Sequence, residues 1–375
     1  MLIGVPKETK IHEYRVGLTP SAVREAVAHG HGVVVEIEAG AGIGATDDDY
    51  RRAGAEIASA AQDVFARAEM IVKVKEPQPD ERRLLRAGQI LFAYLHLAPD
   101  RAQTDDLLAS RAICIAYETV TSPSGALPLL APMSEVAGRL AVQVGAHCLE
   151  RPAGGMGTLL GGVAGVAPAR VLILGAGVVG SNAARMAVGT GAQVVVIDRS
   201  IDALRNLDQR FGGRATTVYA HQDNIERELQ RADLVISGVL IPGAATPRLI
   251  TRAMLSTMKP RSVIVDVAID QGGTAETSSA TTHADPTYVV DRVVHYMVTN
   301  MPAAVPRTST YALNNATLPF TLALADKGWR AALRADPHLK AGLNVAAACV
   351  TNPAVAAALE KPYTPADALL GATTA

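Results

Sequence analysis

Val171-Leu172-Ile173-Leu174-Gly175-Ala176-Gly177-Val178-Val179-Gly180 opens a stretch that closes, after a helix-like segment, on Val194-Val195-Val196-Ile197-Asp198. An apolar strand runs into a Gly-x-Gly-x-x-Gly turn, and a second apolar strand ends in an acid. In such a unit Gly175 permits the tight turn, Gly177 lets the backbone approach a pyrophosphate, and Gly180 lets helix and strand pack closely. Amides at the start of the next helix, beginning at Val178, face the phosphates. Asp198 stands 18 residues after Gly180 and is placed to accept hydrogen bonds from an adenosine ribose. A carboxylate there repels a 2′-phosphate, so the pattern favours NAD over NADP. A glycine turn alone is weak evidence; flanking strands, helix and terminal acid make it specific.

Short apolar runs alternate with helix-like ones on both sides of this unit. Strands are predicted at 2–5, 33–37, 70–74, 90–95 and 113–117, with helices near 21–28, 48–53, 81–86 and 101–110. A second strand series follows at 171–174, 194–197, 216–219, 234–237 and 263–267. Such alternation predicts an α/β protein of two doubly wound, Rossmann-like domains with parallel sheets. Ser134 reads as the N-cap of a long helix over 136–149, and a second long helix is predicted over 316–334. These two helices would join the domains as hinge struts. The last segment would return to the first domain. The domains expected are therefore 1–130 with 305–375, and 131–304.

A chain of 375 residues fits two domains. Apolar residues make up 49% and charged residues 19%, enough for substantial cores and against disorder. Net charge is −1, the pI is about 6.8, and no basic block stands out, so nucleic acid is not an expected partner. Cys114, Cys148 and Cys349 lie far apart in apolar stretches, which suits buried thiols in a reducing cytosol. Met1 to Pro6 leads straight into charged residues, unlike a signal peptide. The apolar run 159–180 is long enough to cross a bilayer. Its Pro168, Arg170 and many glycines point instead to a loop followed by a buried parallel strand. A cytoplasmic protein without a membrane partner is expected.

In open α/β sheets ligands bind beyond the carboxyl ends of strands. Lys75 ends one predicted strand, His96 another, and Asp270 a third, before Gln271-Gly272-Gly273. Arg15 lies in the charged loop Pro6-Lys7-Glu8…Glu13-Tyr14-Arg15 after the first strand. Each has a plainer reading. Lys75 could be solvated, His96 structural and Asp270 a turn former, and Arg15 could pair with Glu8 or Glu13. No serine or cysteine nucleophile motif is present, and no histidine pair has metal-ligand spacing, so no metal is expected.

Several longer motifs are specific. They are Gly4-Val5-Pro6-Lys7-Glu8, Val74-Lys75-Glu76-Pro77, Leu95-His96-Leu97, Ala116-Tyr117-Glu118-Thr119-Val120, Pro132-Met133-Ser134-Glu135-Val136-Ala137-Gly138-Arg139 and Asp266-Val267-Ala268-Ile269-Asp270-Gln271-Gly272-Gly273. Asn300-Met301-Pro302 and Thr308-Ser309-Thr310-Tyr311-Ala312-Leu313 complete the set. Over nearly its full length the chain resembles the L-alanine dehydrogenases, a family shared with the NAD-binding subunit of proton-translocating transhydrogenase. The resemblance implies NAD-dependent interconversion of L-alanine with pyruvate and ammonium by a homohexamer.

It also implies residue roles. Arg15 and Lys75 would bind the substrate, Arg15 as a fork on its carboxylate. His96 would be the acid/base, and Asp270 would stabilise the cationic intermediate. His96 and Asp270 would converge on one coenzyme face. Ser134, Val239, Leu240, Val267, Ala268, Ile269, Val298, Asn300 and Met301 occupy positions resembling the family's cofactor contacts. Ala203, Ala220 and Ser279 stand where many relatives carry a basic residue, a serine and an arginine. Lys327 replaces a histidine that some relatives place with Glu118, which argues against a bridging metal. The other readings are a transhydrogenase-like NAD-binding subunit and a non-catalytic NAD sensor.

Overall fold

The computed structural model describes residues 1–239 and 246–371. Backbone contacts divide the chain into two compact units, Met1–Met133 with Ala303–Ala375, and Ser134–Pro302. Each holds one sheet.

In the first unit, β1 (Leu2–Val5), β2 (Gly32–Glu36), β3 (Glu56–Ala58), β4 (Met70–Val72), β5 (Ile90–Ala93) and β6 (Ile113–Ala116) pair in parallel, in the order β6-β5-β4-β1-β2-β3. β4, β5 and β6 are buried at every position. This is why they read as unbroken apolar runs: a parallel sheet is covered on both faces. Phe65, Ile71, Leu91, Leu95 and Cys114 share one core cluster there. The crossing direction reverses between β1 and β4, the switch point where such sheets open a crevice.

In the second unit, β7 (Arg170–Leu174), β8 (Gln193–Asp198), β9 (Ala215–Tyr219), β10 (Leu234–Ser237), β11 (Val263–Asp266), β12 (Thr287–Val290) and β13 (Val293–Tyr296) lie in the order β12-β13-β11-β10-β7-β8-β9. All pairs are parallel except β12 with β13. The switch point falls between β7 and β10, beside the glycine turn. The run 159–180 is a turn-rich loop leading into buried β7, as its proline and glycines predicted. Among the described residues no helix is long and apolar enough to cross a membrane.

β14 (Leu343–Ala346) and β15 (Cys349–Val350) then complete the first sheet as a hairpin, β14 running antiparallel beside β6. Neither this hairpin nor β12–β13 was anticipated. Both close through two residues in the left-handed region, Ala347 and Ala348 (φ 49° and 59°) and Asp291 and Arg292 (φ 47° and 69°). That is the backbone of a two-residue hairpin, without the Asn-Gly or Asp-Gly that announces it.

Three expectations for helices need correction. The helix predicted at 136–149 begins at Ala131 and runs to Cys148, so Ser134 lies inside its first turn and is not the N-cap. The helix predicted at 316–334 is two helices, Pro306–Lys327 and Trp329–Ala335, broken at Gly328 (φ 72°). Pro306 at the first helical position, where no amide partner is needed, lets the first of these begin ten residues early. The helix predicted near 81–86 is only Pro79–Arg82.

Candidate active site

Each unit collects its reactive side chains just beyond the carboxyl ends of its strands. In the first unit these follow neighbouring strands: Arg15 after β1, Lys75 after β4, His96 after β5 and Glu118 after β6. Lys75 and His96 each stand three residues beyond the last strand residue, Val72 and Ala93 respectively.

Arg15 is buried, and its Nε and Nη2 donate to the two oxygens of buried Glu13 at 2.7 and 2.5 Å. Its Nη1 lies 2.9 Å from Met133 Sδ. Of the two acids suggested as partners, Glu13 is the one engaged. Glu13 thus holds the Nε–Nη2 edge of the guanidinium, and Met133 lies against Nη1. Gly17 holds this loop down: a Cβ there would stand 2.2 Å from the Val72 carbonyl oxygen, so the loop lies against the end of β4.

The segment bearing Lys75 rests on a buried ionic cluster. Lys73 is fully buried, with Nζ 2.7 Å from Glu81 Oε1 and 3.3 Å from Glu8 Oε2. Glu8 Oε1 accepts the Val74 amide at 2.7 Å. Burial outweighs the pull of Lys73 and, with Glu13 adding to it, pushes the Glu8 carboxyl up to about 7. Lys75 itself is buried.

His96 adopts φ 50°, a left-handed conformation that costs a non-glycine residue about 1–2 kcal/mol. Glu118 holds the turn. Its carboxylate accepts the His96 amide at 2.6 Å and the Leu95 amide at 3.2 Å, and Oε1 lies 3.9 Å from His96 Nδ1. The imidazole lies nearly parallel to the Tyr94 ring, centroids 5.8 Å apart.

In the second unit the glycine turn is built as its spacing requires. Gly175 has φ 99°, and a Cβ on Gly180 would stand 1.8 Å from the Gly175 carbonyl oxygen. Gly177 differs: its φ is −69°, and, its chain neighbours aside, no atom of the described residues lies within 4 Å of where its Cβ would be. The fold does not demand glycine there. Space in front of it does. Gly177 is also the N-cap of helix Val178–Gly189 and offers no side chain to that helix's first amides. Asp198 Oδ2 accepts the Ala176 amide at 2.6 Å and Oδ1 the Ser200 amide at 2.7 Å. A carboxylate has about four acceptor positions, so two remain for ribose hydroxyls while the acid also braces the turn.

Asp270 is exposed on a short 3₁₀ turn, Val267–Gln271, four residues beyond Asp266, the last residue of β11. Asp266 is fully buried and accepts the Ala268 and Thr274 amides and the Thr274 and Ser278 hydroxyls, at 2.6–3.1 Å. It fixes the loop that presents Asp270 to solvent, with Val267 and Ala268 half-buried and Ile269 packed into the core. Val239 follows β10, and Val298, Asn300 and Met301 follow β13, all in this unit; Ser134 belongs to it also. Leu240 lies outside the described residues. The sequence reading named Glu8 as a possible partner of Arg15, Glu118 in connection with a metal, and Asp266 within a motif, but gave none of them a supporting role. Each lies in a recognised motif, which is the signal they left.

Two family models match consecutive parts of the chain: alanine dehydrogenase/PNT N-terminal domain over residues 4–137 and C-terminal domain over 141–353. The alanine dehydrogenase of Halomonas elongata is 60% identical over 371 residues, 99% of this chain and 100% of that protein. That of Mycobacterium tuberculosis H37Rv is 52% identical, covering 98% and 100%. Among solved structures, an L-alanine dehydrogenase superposes with a TM-score of 0.93 at 51% identity, over 96% of this chain and 99% of the other. A transhydrogenase from Sinorhizobium meliloti gives 0.81 at 26%, over 94% and 100%. Both halves of the chain, with their strand-end residues, therefore belong to the alanine dehydrogenase/PNT family.

Proposed function

We propose that the chain is an NAD-dependent L-alanine dehydrogenase, converting L-alanine, NAD⁺ and water to pyruvate, ammonium, NADH and a proton, and the reverse. One observation carries the reading. A chain similar to alanine dehydrogenases from end to end keeps a cation, a second cation and an imidazole beyond three adjoining strands, and a glycine turn with open space before Gly177.

The residues fit the coenzyme. The unclaimed space at Gly177 and the uncapped helix start suit a pyrophosphate, and Asp198 keeps acceptors for the ribose. Held there by Gly177, the first amides of the helix from Val178 and Asp198, NAD⁺ would supply the hydride acceptor for the alanine Cα. Arg15 takes the substrate carboxylate on its guanidinium. Lys75 binds the carboxylate or the carbonyl oxygen and offsets negative charge developing there. His96 moves the proton to and from that oxygen as water adds to the iminium and ammonia departs. Asp270 stabilises the cationic intermediate and orients water or the nitrogen group.

Reduced-nicotinamide absorbance with NAD and an amino-acid panel at alkaline pH tests the reading. Turnover confined to alanine and near analogues supports it; tight NAD binding without turnover makes the chain a sensor instead.

A homohexamer is part of the same proposal. Leu159, Val163 and Val166 project from a small hairpin, each more than 60% exposed, with Val163 and Val166 bridged through their backbones. Apolar residues so displayed suit burial by another copy. Val163→Asp with Val166→Asp should reduce the mass measured by light scattering. We place the protein in the cytoplasm, a reading supported by its three free cysteines, two of them buried.

A further inference from the structure

Three strand tails meet at one residue, Val74. The Val74 carbonyl accepts the Tyr94 amide at 3.0 Å, tying the tail of β4 to the tail of β5, which reaches His96 two residues later. The Val74 amide donates to Glu8 Oε1 at 2.7 Å, tying the same point to the tail of β1. Among the described residues Glu8 is the side chain bonded to Val74, and Lys75 is the next residue along.

Glu8 is itself held from beneath. Lys73 lies between Glu8 and Glu81, and both acids are buried. One ammonium between two carboxylates leaves an excess negative charge in a medium that penalises it. Glu81 has the shorter contact, and its other oxygen caps the helix Pro79–Arg82 through the Gln78 amide at 2.7 Å. Glu8 Oε2 accepts no hydrogen bond among the described residues, although Lys73 is 3.3 Å away. The acid best able to take up a proton is therefore Glu8. Protonated on Oε2, it still accepts Val74 through Oε1.

We propose that Glu8 is a positioning residue: by reach rather than by charge, it fixes the direction in which Lys75 leaves β4 relative to the tail carrying His96. This rests on the alanine dehydrogenase reading for its kinetic consequence and on the hydrogen bond alone for its structural one. Glutamine at position 8 has the same length and an acceptor oxygen in the same place. Aspartate keeps the charge but falls one methylene short of Val74.

The test compares Glu8→Gln and Glu8→Asp in the full chain, each by two readouts. Hydrogen–deuterium exchange over residues 70–78 reads the junction without any activity. Steady-state kinetics with pyruvate, ammonium and NADH reads its use. In Glu8→Asp the exchange should speed up. Its kcat/KM for pyruvate should fall about 10- to 100-fold, as misplacement of a reacting group by about 1 Å does, with the Kd for NADH unchanged. Glu8→Gln should match the wild type within a few-fold in both. The proposal is overturned if Glu8→Asp keeps wild-type exchange and kcat/KM, or if Glu8→Gln is the impaired variant. It is also overturned if NADH affinity falls in step with kcat/KM, since that is general damage. Should the wild type turn over neither pyruvate nor alanine, the functional reading has failed, and the exchange comparison still decides the role of Glu8.

Discussion

Gly177→Ala separates what the fold needs from what the coenzyme needs. With no atom of the described residues beyond its neighbours within 4 Å of the new methyl and an ordinary φ of −69°, the folded chain accommodates alanine without strain. Two small effects oppose each other. Alanine is a poorer N-cap than glycine, by about 0.5–1 kcal/mol, and it lowers unfolded-chain entropy by about 0.4–1 kcal/mol in favour of folding. Stability should therefore stay within about 1 kcal/mol of the wild type. Binding should not. The methyl fills the space through which a pyrophosphate meets the first amides of helix Val178–Gly189. Loss of one charge-assisted hydrogen bond there costs about 1.5–3 kcal/mol, or about 10- to 100-fold in Kd. Titration of NADH fluorescence and a thermal melt measure the two quantities on the same sample. Gly180→Ala is the contrasting case. Its methyl would meet the Gly175 oxygen at 1.8 Å, so melting temperature and affinity should fall together. Wild-type NADH affinity in Gly177→Ala would refute the placement of the pyrophosphate at this turn.

Asp198→Asn puts an amide NH₂ against one of the two backbone amides that the carboxylate accepts; NADH affinity should drop about tenfold, and the NADP-to-NAD activity ratio should rise. His96→Ala should lower kcat by about 10²- to 10⁴-fold with the Kd for NADH retained; near-normal turnover would remove His96 from proton transfer. Glu8 carries a pH-dependent stability cost. Its ordinary value is 4.5 and its folded value about 7, so the unfolded chain releases the proton first and the folded state loses stability as pH rises between the two. That rise is worth up to about 3 kcal/mol, less whatever relaxation around the buried cluster recovers. Urea midpoints of the wild type and Glu8→Gln, compared across pH 4.5–7.5, should diverge in favour of the glutamine variant as pH rises. Parallel midpoints would mean that Glu8 titrates normally.

Much of this was legible because parallel sheets bury whole strands. β10 runs over the four residues its apolar run marked, and β1, β7 and β8 differ from theirs by at most one residue at either end. The glycine turn was legible because steric demands at Gly175 and Gly180 leave no other residue possible. Antiparallel additions were not, since Asp291-Arg292 and Ala347-Ala348 take left-handed turns without the residues that usually mark them. The helix break at Gly328 was hidden for a related reason: one glycine inside a long apolar pattern looks like a tolerated guest. In the candidate site, the side chains proposed to meet the substrate carry rare chemistry and stand out beyond strand ends. The acids behind them do not, because Glu8, Glu118 and Asp266 act by accepting backbone amides, a task that leaves no spacing rule in the chain.

Asp266 makes the loop after β11 self-supporting. Four donors converge on a carboxylate sealed from solvent, and none of those bonds involves Asp270, which stands exposed at the crest. Scaffold and cargo are thus separate parts. Position 270 can be exchanged for other functional groups without the loop collapsing, which makes it the natural place to graft a different chemistry onto this framework, whereas altering 266 dismantles the platform whatever is mounted on it.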